Sequence, residues 1–416
     1  MPPPDSRHPH SAPLLPDPQL WSASALGSED GQVVRYLDQL LSHACRVGAS
    51  DLHFETYDNL YRVRIRVDGQ LRSVSAPPVS MKERIASRIK VLARLDISEK
   101  RLPQDGRLRH KVDAGRWADF RVSTLPTLHG EKVVLRLLDA APAHLDMDAL
   151  GYEPDQKAHL MDVIHRPWGM VLMTGPTGSG KTLSLYSCLS LLNQEGLNVS
   201  TAEDPSEINL PGINQVNIQE KAGLSFGMAL RAFLRQDPDV IMIGEIRDLE
   251  TADLALKAAQ TGHLLLSTLH TNDAPGALVR LRHMGVASYN IAASLALVTA
   301  QRLVRRLCPH CRRPEPASTS TLLQLGFKPE DLDGSWQPYG PVGCAQCHQG
   351  YRGRTGVFQV MPINEAMQAL ILREADSLEV ARQAARDGVL SLREAGLRKV
   401  KLGLTSLQEI CSHTHA

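Results

Sequence analysis

The sequence predicts an α/β protein in which a parallel, doubly wound sheet is preceded by a smaller α+β domain and followed by a metal-binding sub-domain. Three observations lead to this fold class. A glycine-rich loop at residues 175–182 lies between an apolar strand pattern and a helical pattern. Strand and helix patterns alternate from about residue 149 onward, which is typical of a parallel sheet. Two C-x-x-C pairs follow further along the chain.

The loop at residues 175–182 reads Gly-Pro-Thr-Gly-Ser-Gly-Lys-Thr and fits the P-loop pattern G-x-x-x-x-G-K-[ST] without a mismatch. Backbone N–H groups of such a loop can curl round a polyphosphate at the positive end of the following helix. A chance glycine-rich turn is the alternative, and the flanking strand (170–173) and helix (182–192) disfavour it. The predicted nucleotide-binding residues are Gly175, Pro176, Thr177, Gly178, Ser179, Gly180, Lys181 and Thr182. Lys181 suits the β and γ phosphates of ATP, and the Thr182 hydroxyl suits Mg²⁺.

Length, composition and charge limit the possible classes of protein. A chain of 416 residues that is 43% hydrophobic and 22% charged can fold into two or three domains with sizeable cores. The formal net charge of +1 gives no electrostatic reason to expect nucleic acid or an acidic membrane as a partner. No apolar run reaches the roughly 18 residues of a membrane span, and the N-terminus lacks the apolar core of an export signal.

Before the loop, the patterns predict a tail, a small domain and a linker. Residues 1–29 are rich in Pro, Ser and His without periodicity, which indicates a disordered tail. Residues 30–139 are predicted to form the N-terminal α+β domain, and residues 140–148 a linker. Within that domain, residues 61–67 alternate apolar side chains with arginines. These arginines form either a solvated sheet face, which alternation alone favours, or a surface for phosphate or a neighbouring subunit.

Residues 149–306 are predicted to form the core that carries the glycine-rich loop. Ligands of such sheets bind at the carboxyl ends of the strands, so polar residues there are candidates for the site. Helices are predicted between the strands, at 226–236 and 249–260. The predicted strands are 170–173, 198–202, 240–243 and 263–267.

Acidic and histidine side chains fall at these strand ends. Glu245 follows an apolar strand, the arrangement in which an acid orders Mg²⁺ or polarises the attacking water. Glu203 and Asp204 form a second acidic tip. His270 is a candidate contact of the γ phosphate or of water. It lies too far along its strand from His263 for the two to share a metal.

Four of the seven cysteines occur as two pairs, within the predicted sub-domain of residues 307–356. Four thiolates suit a closed, tetrahedral, structural Zn²⁺ site. Redox activity is the rival interpretation, which the presence of two pairs disfavours. Cys45, Cys188 and Cys411 lie in helical patterns and are expected to be ordinary thiols. Residues 357–416 are predicted to be a helical C-terminal region. The predicted zinc ligands are Cys308, Cys311, Cys344 and Cys347.

Several segments together resemble one family, the secretion ATPases of the GspE/PulE type, which are the motors of type II secretion and type IV pilus assembly. The resemblance covers roughly residues 30–412. Its ATPase motifs are residues 175–182, 201–207, 234–252 and 261–272, and the upstream segments 49–55, 101–107 and 121–131 look like the family too.

The resemblance implies a RecA-like ATPase core behind a PAS-like N-terminal domain, and a ring, usually a homo-hexamer. ATP would lie between the two domains and near a subunit boundary, with Arg107 and Arg121 of the smaller domain and Arg231 and Arg235 of the core reaching the phosphates. Arg231 and Arg235 are also spaced to share one helical face. We expect at least one of these four arginines to form only a structural ion pair.

The resemblance also implies where the protein works. Assembly ATPases carry a tetracysteine motif, and retraction ATPases typically lack it. We therefore expect the chain to drive pilin or pseudopilin assembly in the cytoplasm, peripheral on the inner membrane, with a platform protein as partner. Longer members of the family have an additional N-terminal domain for docking. Only the predicted tail precedes the resembling region here, so docking is expected through another surface or to a different partner.

Two other functions compete with this interpretation. A nucleic-acid-translocating motor would also use a RecA-like core, but the neutral charge disfavours direct nucleic-acid contact. A catalytically idle ATP-binding scaffold is disfavoured by the presence of both Lys181 and Glu245.

Overall fold

The computed structural model describes residues 29–113, 115–138 and 146–414. Residues 29 and 30 are described by their backbone alone. The chain divides into two compact units, residues 1–140 and 141–416, and each unit is described here by itself. The predicted tail up to residue 28, and the predicted linker up to residue 145, lie outside the described residues. None of the described helices is long and apolar enough to cross a membrane.

In its described residues, the first unit is a six-stranded antiparallel sheet with two α-helices. The helices are α1 (Glu29–Arg46) and α2 (Lys82–Leu92), and the strands are β1 (Asp51–Thr56), β2 (Tyr61–Val67), β3 (Gln70–Ser75), β4 (Gln104–Asp113), β5 (Arg116–Thr127) and β6 (Gly130–Leu138). Their spatial order is β3-β2-β1-β6-β5-β4. Apolar side chains of alternate strand positions pack with those of both helices in one core, as the sequence alternation predicts.

The arginines of β2 lie on the opposite face from this core. Arg62 and Arg64 both donate to the buried Glu55 carboxylate of β1, with Nη2–Oε distances of 3.2 and 2.7 Å. Arg66 contacts Asp51 of the same strand at 3.5 Å. These three arginines are therefore paired across the sheet.

The second unit is a seven-stranded mixed sheet with helices on both faces. Its strands are β7 (Gly169–Thr174), β8 (Val199–Glu203), β9 (Asn214–Asn217), β10 (Val240–Ile243), β11 (Leu264–Leu269), β12 (Leu295–Leu307) and β15 (Tyr351–Pro362), in the order β15-β12-β7-β11-β10-β8-β9. A separate two-stranded ribbon consists of β13 (Arg313–Pro314) and β14 (Tyr339–Gly340). The helices are α3 (Met147–Leu150), α4 (Pro154–Ile164), α5 (Lys181–Leu192), α6 (Phe226–Phe233), α7 (Leu249–Gln260), α8 (Ala274–His283), α9 (Ser288–Ser294), α10 (Thr319–Leu325), α11 (Glu365–Leu372), α12 (Ser377–Arg386), α13 (Leu392–Lys401) and α14 (Leu407–His413).

The sheet is sandwiched between two apolar cores. In β7, Met170 and Leu172 face one core, with α6 to α9, whereas Val171 and Met173 face the other, with α3 to α5. A strand that is buried on both faces must be apolar at every position, which explains the continuous apolar run that marked β7 in the sequence.

The sheet differs from the predicted parallel sheet by an antiparallel edge. Strand β15 pairs antiparallel with β12, whereas β12, β7, β11, β10, β8 and β9 are mutually parallel. The sequence predicted no strand at β9, β12 or β15. It placed the residues of β15 partly in the zinc sub-domain and partly in the helical region, because Arg352, Gly353 and Arg354 interrupt the apolar pattern at its start.

A buried ion pair joins the C-terminal helix α14 to β12. Arg305 of β12 donates from Nε to Oε1 of Glu409 at 3.0 Å, and its backbone N–H donates to Oε2 at 3.0 Å. The guanidinium also lies 4.0 Å from the ring centroid of Tyr351. The Glu409 side chain is only 3% exposed, so its charge depends on these donors.

We expect Glu409→Gln to destabilise the second unit by about 3–5 kcal/mol, because it leaves the Arg305 charge without its buried counter-charge. Urea denaturation followed by circular dichroism measures the change. The matched control is Glu379→Gln, which removes an exposed pair with Arg373 and should cost at most about 1 kcal/mol. Equal effects of the two variants would contradict the assignment.

The same pair predicts an acid-sensitive stability. Burial opposes the charged form of Glu409, but hydrogen bonds from Arg305 outweigh it and hold its pKa below the ordinary 4.5. A lowered folded-state pKa contributes stability above pH 4.5 that is lost as the pH falls through the folded value. Wild-type stability should therefore fall more steeply below pH 4.5 than that of Glu409→Gln.

Candidate active site and metal centre

The glycine-rich loop connects the end of β7 to the start of α5. Gly175, Gly178 and Gly180 have φ angles of 148°, 79° and 90°, which side chains disfavour. A Cβ on Gly175 would lie 2.5 Å from the backbone oxygen of Gln301 on the neighbouring β12. The first glycine is therefore required by backbone conformation and by close packing. This conformation turns the loop tightly into the N-terminus of α5, where free N–H groups favour an anion.

Lys181 opens α5 and folds back over the loop. Its Nζ donates to the backbone oxygens of Gly175 and Pro176 at 2.8 and 3.2 Å. Burial lowers the pKa of Lys181 to about 8, with the Glu245 charge opposing and the Arg302 charge adding to the effect. Thr182 lies half-buried beside it in the first turn of α5. A desolvated ammonium held by neutral oxygens is suited to exchange them for phosphate oxygens.

Glu245 and His270 are brought together because β10 and β11 pair in parallel and end at the same edge. His270 Nε2 lies 3.4 Å from Glu245 Oε2. The other carboxylate oxygen of Glu245 accepts from Arg247, which also contacts Asp204 at 3.3 Å. The geometry therefore adds Arg247 to the predicted site. Its signal in the sequence was a cation two positions beyond the acidic tip.

Glu203 lies at the end of β8 but points into the protein. Its side chain is 3% exposed and accepts from the hydroxyls of Tyr186 and Thr201 and, at 3.0 Å, from the Gln215 amide. Tyr186 belongs to α5, so Glu203 fixes the helix that begins at the loop. This geometry favours a positioning role over contact with the reacting atoms, and the predicted catalytic role of Glu203 stays a prediction.

The predicted shared helical face of Arg231 and Arg235 is wrong. Helix α6 ends at Phe233, because Asp237 adopts a positive φ of 51° ahead of Pro238, and Arg235 lies in the turn beyond the helix. Arg231 Nη2 pairs with Glu250 at 2.5 Å, and Arg235 donates to the Arg231 backbone oxygen at 2.8 Å. This contact joins α6 to α7, and a purely structural role for Arg231 stays a prediction.

The arginines of the first unit form a row across three strands. Arg107 of β4 pairs in register with Arg121 of β5, which in turn pairs with Arg136 of β6. Opposed residues project from the same face, and like charges in such positions repel. Arg136 contacts Asp51 at 2.9 Å and Arg121 contacts Asp105 at 3.8 Å, whereas Arg107 forms no ion pair among the described residues. The row is suited to an anion, and it includes Arg136, which no motif of the sequence singled out.

The four predicted zinc ligands converge. Their Sγ atoms lie within 4.8 Å of one another, with Sγ–Sγ distances of 3.9 Å for Cys308–Cys344 and 3.6 Å for both Cys311–Cys347 and Cys344–Cys347. Zinc–sulfur bonds of about 2.3 Å in a tetrahedron give edges of about 3.8 Å. The N–H of Gly343 donates to Cys311 Sγ at 3.3 Å, as expected where a thiolate carries charge. The residues therefore fit Zn²⁺.

The fold of this chain resembles solved ATPases. DotB of Legionella pneumophila matches with a TM-score of 0.67 at 21% identity, over 90% of this chain and 94% of that chain. A pilus retraction motor, PilT, matches with a TM-score of 0.61 at 23% identity, over 91% of this chain and 97% of that chain. The fold and its glycine loop define a P-loop protein with a RecA-like core.

Comparison of the sequence shows the family of this chain. It belongs to the family described as type II/IV secretion system protein, which it matches over residues 27–412. The type IV pilus assembly ATPase PilB of Acinetobacter baylyi is 57% identical over 92% of this chain and 66% of its own length. The type II secretion system protein E of Aeromonas hydrophila is 45% identical over 92% of this chain and 75% of its own length. The chain thus spans about two thirds of that pilus relative.

We expect the wild-type chain to bind a single zinc ion through the four thiolates and Cys347→Ser to lose it, because three ligands cannot close the tetrahedron. Thermal stability of the variant should fall with the zinc content, which elemental analysis of the purified protein measures. Cys411→Ser, on α14, is the matched control and should keep both the zinc ion and the thermal stability of the wild type. A wild-type protein that holds no zinc, or a Cys347→Ser protein that keeps it, would contradict the assignment.

Proposed function

We propose that this protein is a mechanochemical ATPase that hydrolyses ATP to drive pilin or pseudopilin assembly. The observation that carries the proposal is the approach of His270 to Glu245, 3.4 Å apart, at the strand edge that also presents Lys181. A binding scaffold needs the loop and Lys181, but it has no use for a carboxylate and an imidazole at the same edge. Family membership and the names of the relatives support the same activity.

Each group has a role in phosphoryl transfer to water. The loop N–H groups and Lys181 hold the phosphates and stabilise the charge that develops on them. Glu245 orients and polarises the attacking water, His270 contacts that water or the γ phosphate, and Arg247 holds the Glu245 carboxylate in place. Mg²⁺, held near the Thr182 hydroxyl, would neutralise phosphate charge.

The ring is part of the proposal. In a homo-hexamer, the row of Arg107, Arg121 and Arg136 would approach the phosphates of a bound nucleotide and complete its site. Such arginines contribute about 10³–10⁵ in rate where they act in trans, so assembly of the ring would control turnover.

The partner and location follow from the resemblance and the relatives. We propose a platform protein of the inner membrane as the partner, with this chain peripheral to that membrane on the cytoplasmic side. Three arginines on one sheet face form a smaller basic surface than nucleic-acid binding would require. If single-stranded DNA stimulates hydrolysis, the nucleic-acid motor is the better proposal.

We expect Glu245→Gln to keep nucleotide affinity and to lower the rate of ATP hydrolysis by about 10²–10⁴-fold, because only the polarisation of water is lost. Lys181→Ala should instead weaken nucleotide binding itself. A phosphate-release assay and a fluorescent-nucleotide titration separate the two effects. Glu195→Gln, an exposed acid in the loop after α5, is the control and should match the wild type. Unchanged hydrolysis by Glu245→Gln would refute the assignment.

We expect Arg121→Gln chains to bind nucleotide but to hydrolyse it at least about 10³-fold more slowly, because the missing cation acts on a neighbouring site. Mixing them with Lys181→Ala chains should restore part of the activity, since each variant supplies what the other lacks. Arg116→Gln, an exposed arginine on the same strand, is the control. Failure of the mixture to recover any activity would exclude action between subunits.

A further inference from the structure

Strand β12 forms one wall of the glycine-rich loop. It runs parallel to β7, with Ala300 paired to Thr174, so the next residues of the two strands are neighbours. The Gln301 side chain donates from Nε2 to the backbone oxygen of Ser179 at 2.7 Å, and its own backbone oxygen excludes a Cβ at Gly175. Gln301 and Leu303 face the loop, and Arg302 between them projects from the other face of β12, toward the segment that follows β11.

Arg302 is half-buried. Its Nη2 donates to the backbone oxygen and to Oδ1 of Asn272 at 2.9 and 3.3 Å, and its Nη1 donates to the Gln301 backbone oxygen at 3.2 Å. In the described parts of the chain it forms no ion pair with a carboxylate. Burying a guanidinium against neutral oxygens alone is costly, which makes this position one that favours an anion.

The positive charges of Lys181 and Arg302 lie close enough to interact. The Arg302 charge contributes to lowering the pKa of Lys181, so the two cations lie within each other's field. Burial also lowers the pKa of Arg302 itself, against the charge of Asp273. Two partly desolvated cations at the edge of the sheet where the loop begins form a site for a ligand with several negative charges.

Arg302 also connects this space to the loop that carries His270. Asn272, its hydrogen-bond partner, lies two residues beyond His270. The intervening Thr271 is fixed to the end of β7 by a 2.6 Å hydrogen bond between its hydroxyl and that of Thr174. The segment from His270 to Asn272 is therefore held at one end by β7 and at the other by Arg302.

We propose that Arg302 is a second phosphate-binding cation of this site, and that its contact with Asn272 joins the bound phosphates to the loop that carries His270. The inference rests on the proposed function and adds a group that neither the P-loop pattern nor the strand-end acids contain. The predicted ligand is the polyphosphate of a nucleoside di- or triphosphate.

The test compares four variants of this chain, Lys181→Ala and the three described below, with the wild type in titrations with MgADP at several salt concentrations. Arg302→Gln should weaken MgADP binding by about 10- to 100-fold, the effect of losing one charge-assisted contact. Its affinity should also depend less on salt, because one fewer cation faces the phosphates. Arg302→Lys should recover most of the affinity and of the salt dependence. Arg306→Gln, an exposed arginine of the same strand, is the matched control and should match the wild type.

Two outcomes would overturn the inference. One is an Arg302→Gln protein that binds MgADP within about twofold of the wild type, which is below the effect expected for a charge-assisted contact. The other is weakened binding with an unchanged salt dependence and no recovery in Arg302→Lys, since that pattern belongs to a residue that only supports the loop.

The same experiment separates this inference from the proposed function. If Lys181→Ala abolishes MgADP binding while Arg302→Gln leaves it intact, the role of Arg302 alone is refuted. If the wild-type protein itself does not bind MgADP, the proposed function fails and the inference fails with it.

Discussion

The parallel pairing of β12, β7, β11 and β10 determines where the chemical groups of the second unit lie. In this register, Ala300, Thr174 and Leu269 are neighbours across three strands, so the residues that follow them emerge at one edge. The glycine-rich loop, His270 and Arg302 are brought to that edge by backbone hydrogen bonds rather than by contacts with one another. A shift of one residue in any of these strands would turn its side chains to the other face and break up the site.

The hydrogen-bond partners of a buried charged side chain indicate whether that side chain supports the fold or faces a ligand. Glu203 and Glu409 are both 3% or less exposed and are saturated by donors within the protein, which fixes α5 and α14 in place. Lys181 and Arg302 are buried less deeply, and neutral oxygens are their hydrogen-bond partners among the described residues. Stability alone would favour an acid beside each of them. A bound anion would supply the negative charge that such an acid would otherwise provide.

Most of the site could be predicted from sequence because its parts are local motifs. The loop, Glu245 and His270 each follow an apolar strand, and the four cysteines carry their own spacing. The edge of the sheet could not be predicted in this way. Strand β12 is buried yet includes Gln301 and Arg302, whose polarity hides the strand until its contacts with the loop are known. The helical position of Arg235 was predicted wrongly, because the helical spacing was assumed to continue past Phe233, where α6 ends.

In the first unit, the sheet holds several positive charges close together. Arg107, Arg121 and Arg136 are directly opposed on three neighbouring strands and project from the same face of the sheet. Within the described residues, only two of them contact an acid. Antiparallel pairing holds them there against their mutual repulsion, so the sheet maintains an arrangement that the isolated side chains would avoid. Such a row becomes favourable when a multivalent anion approaches it.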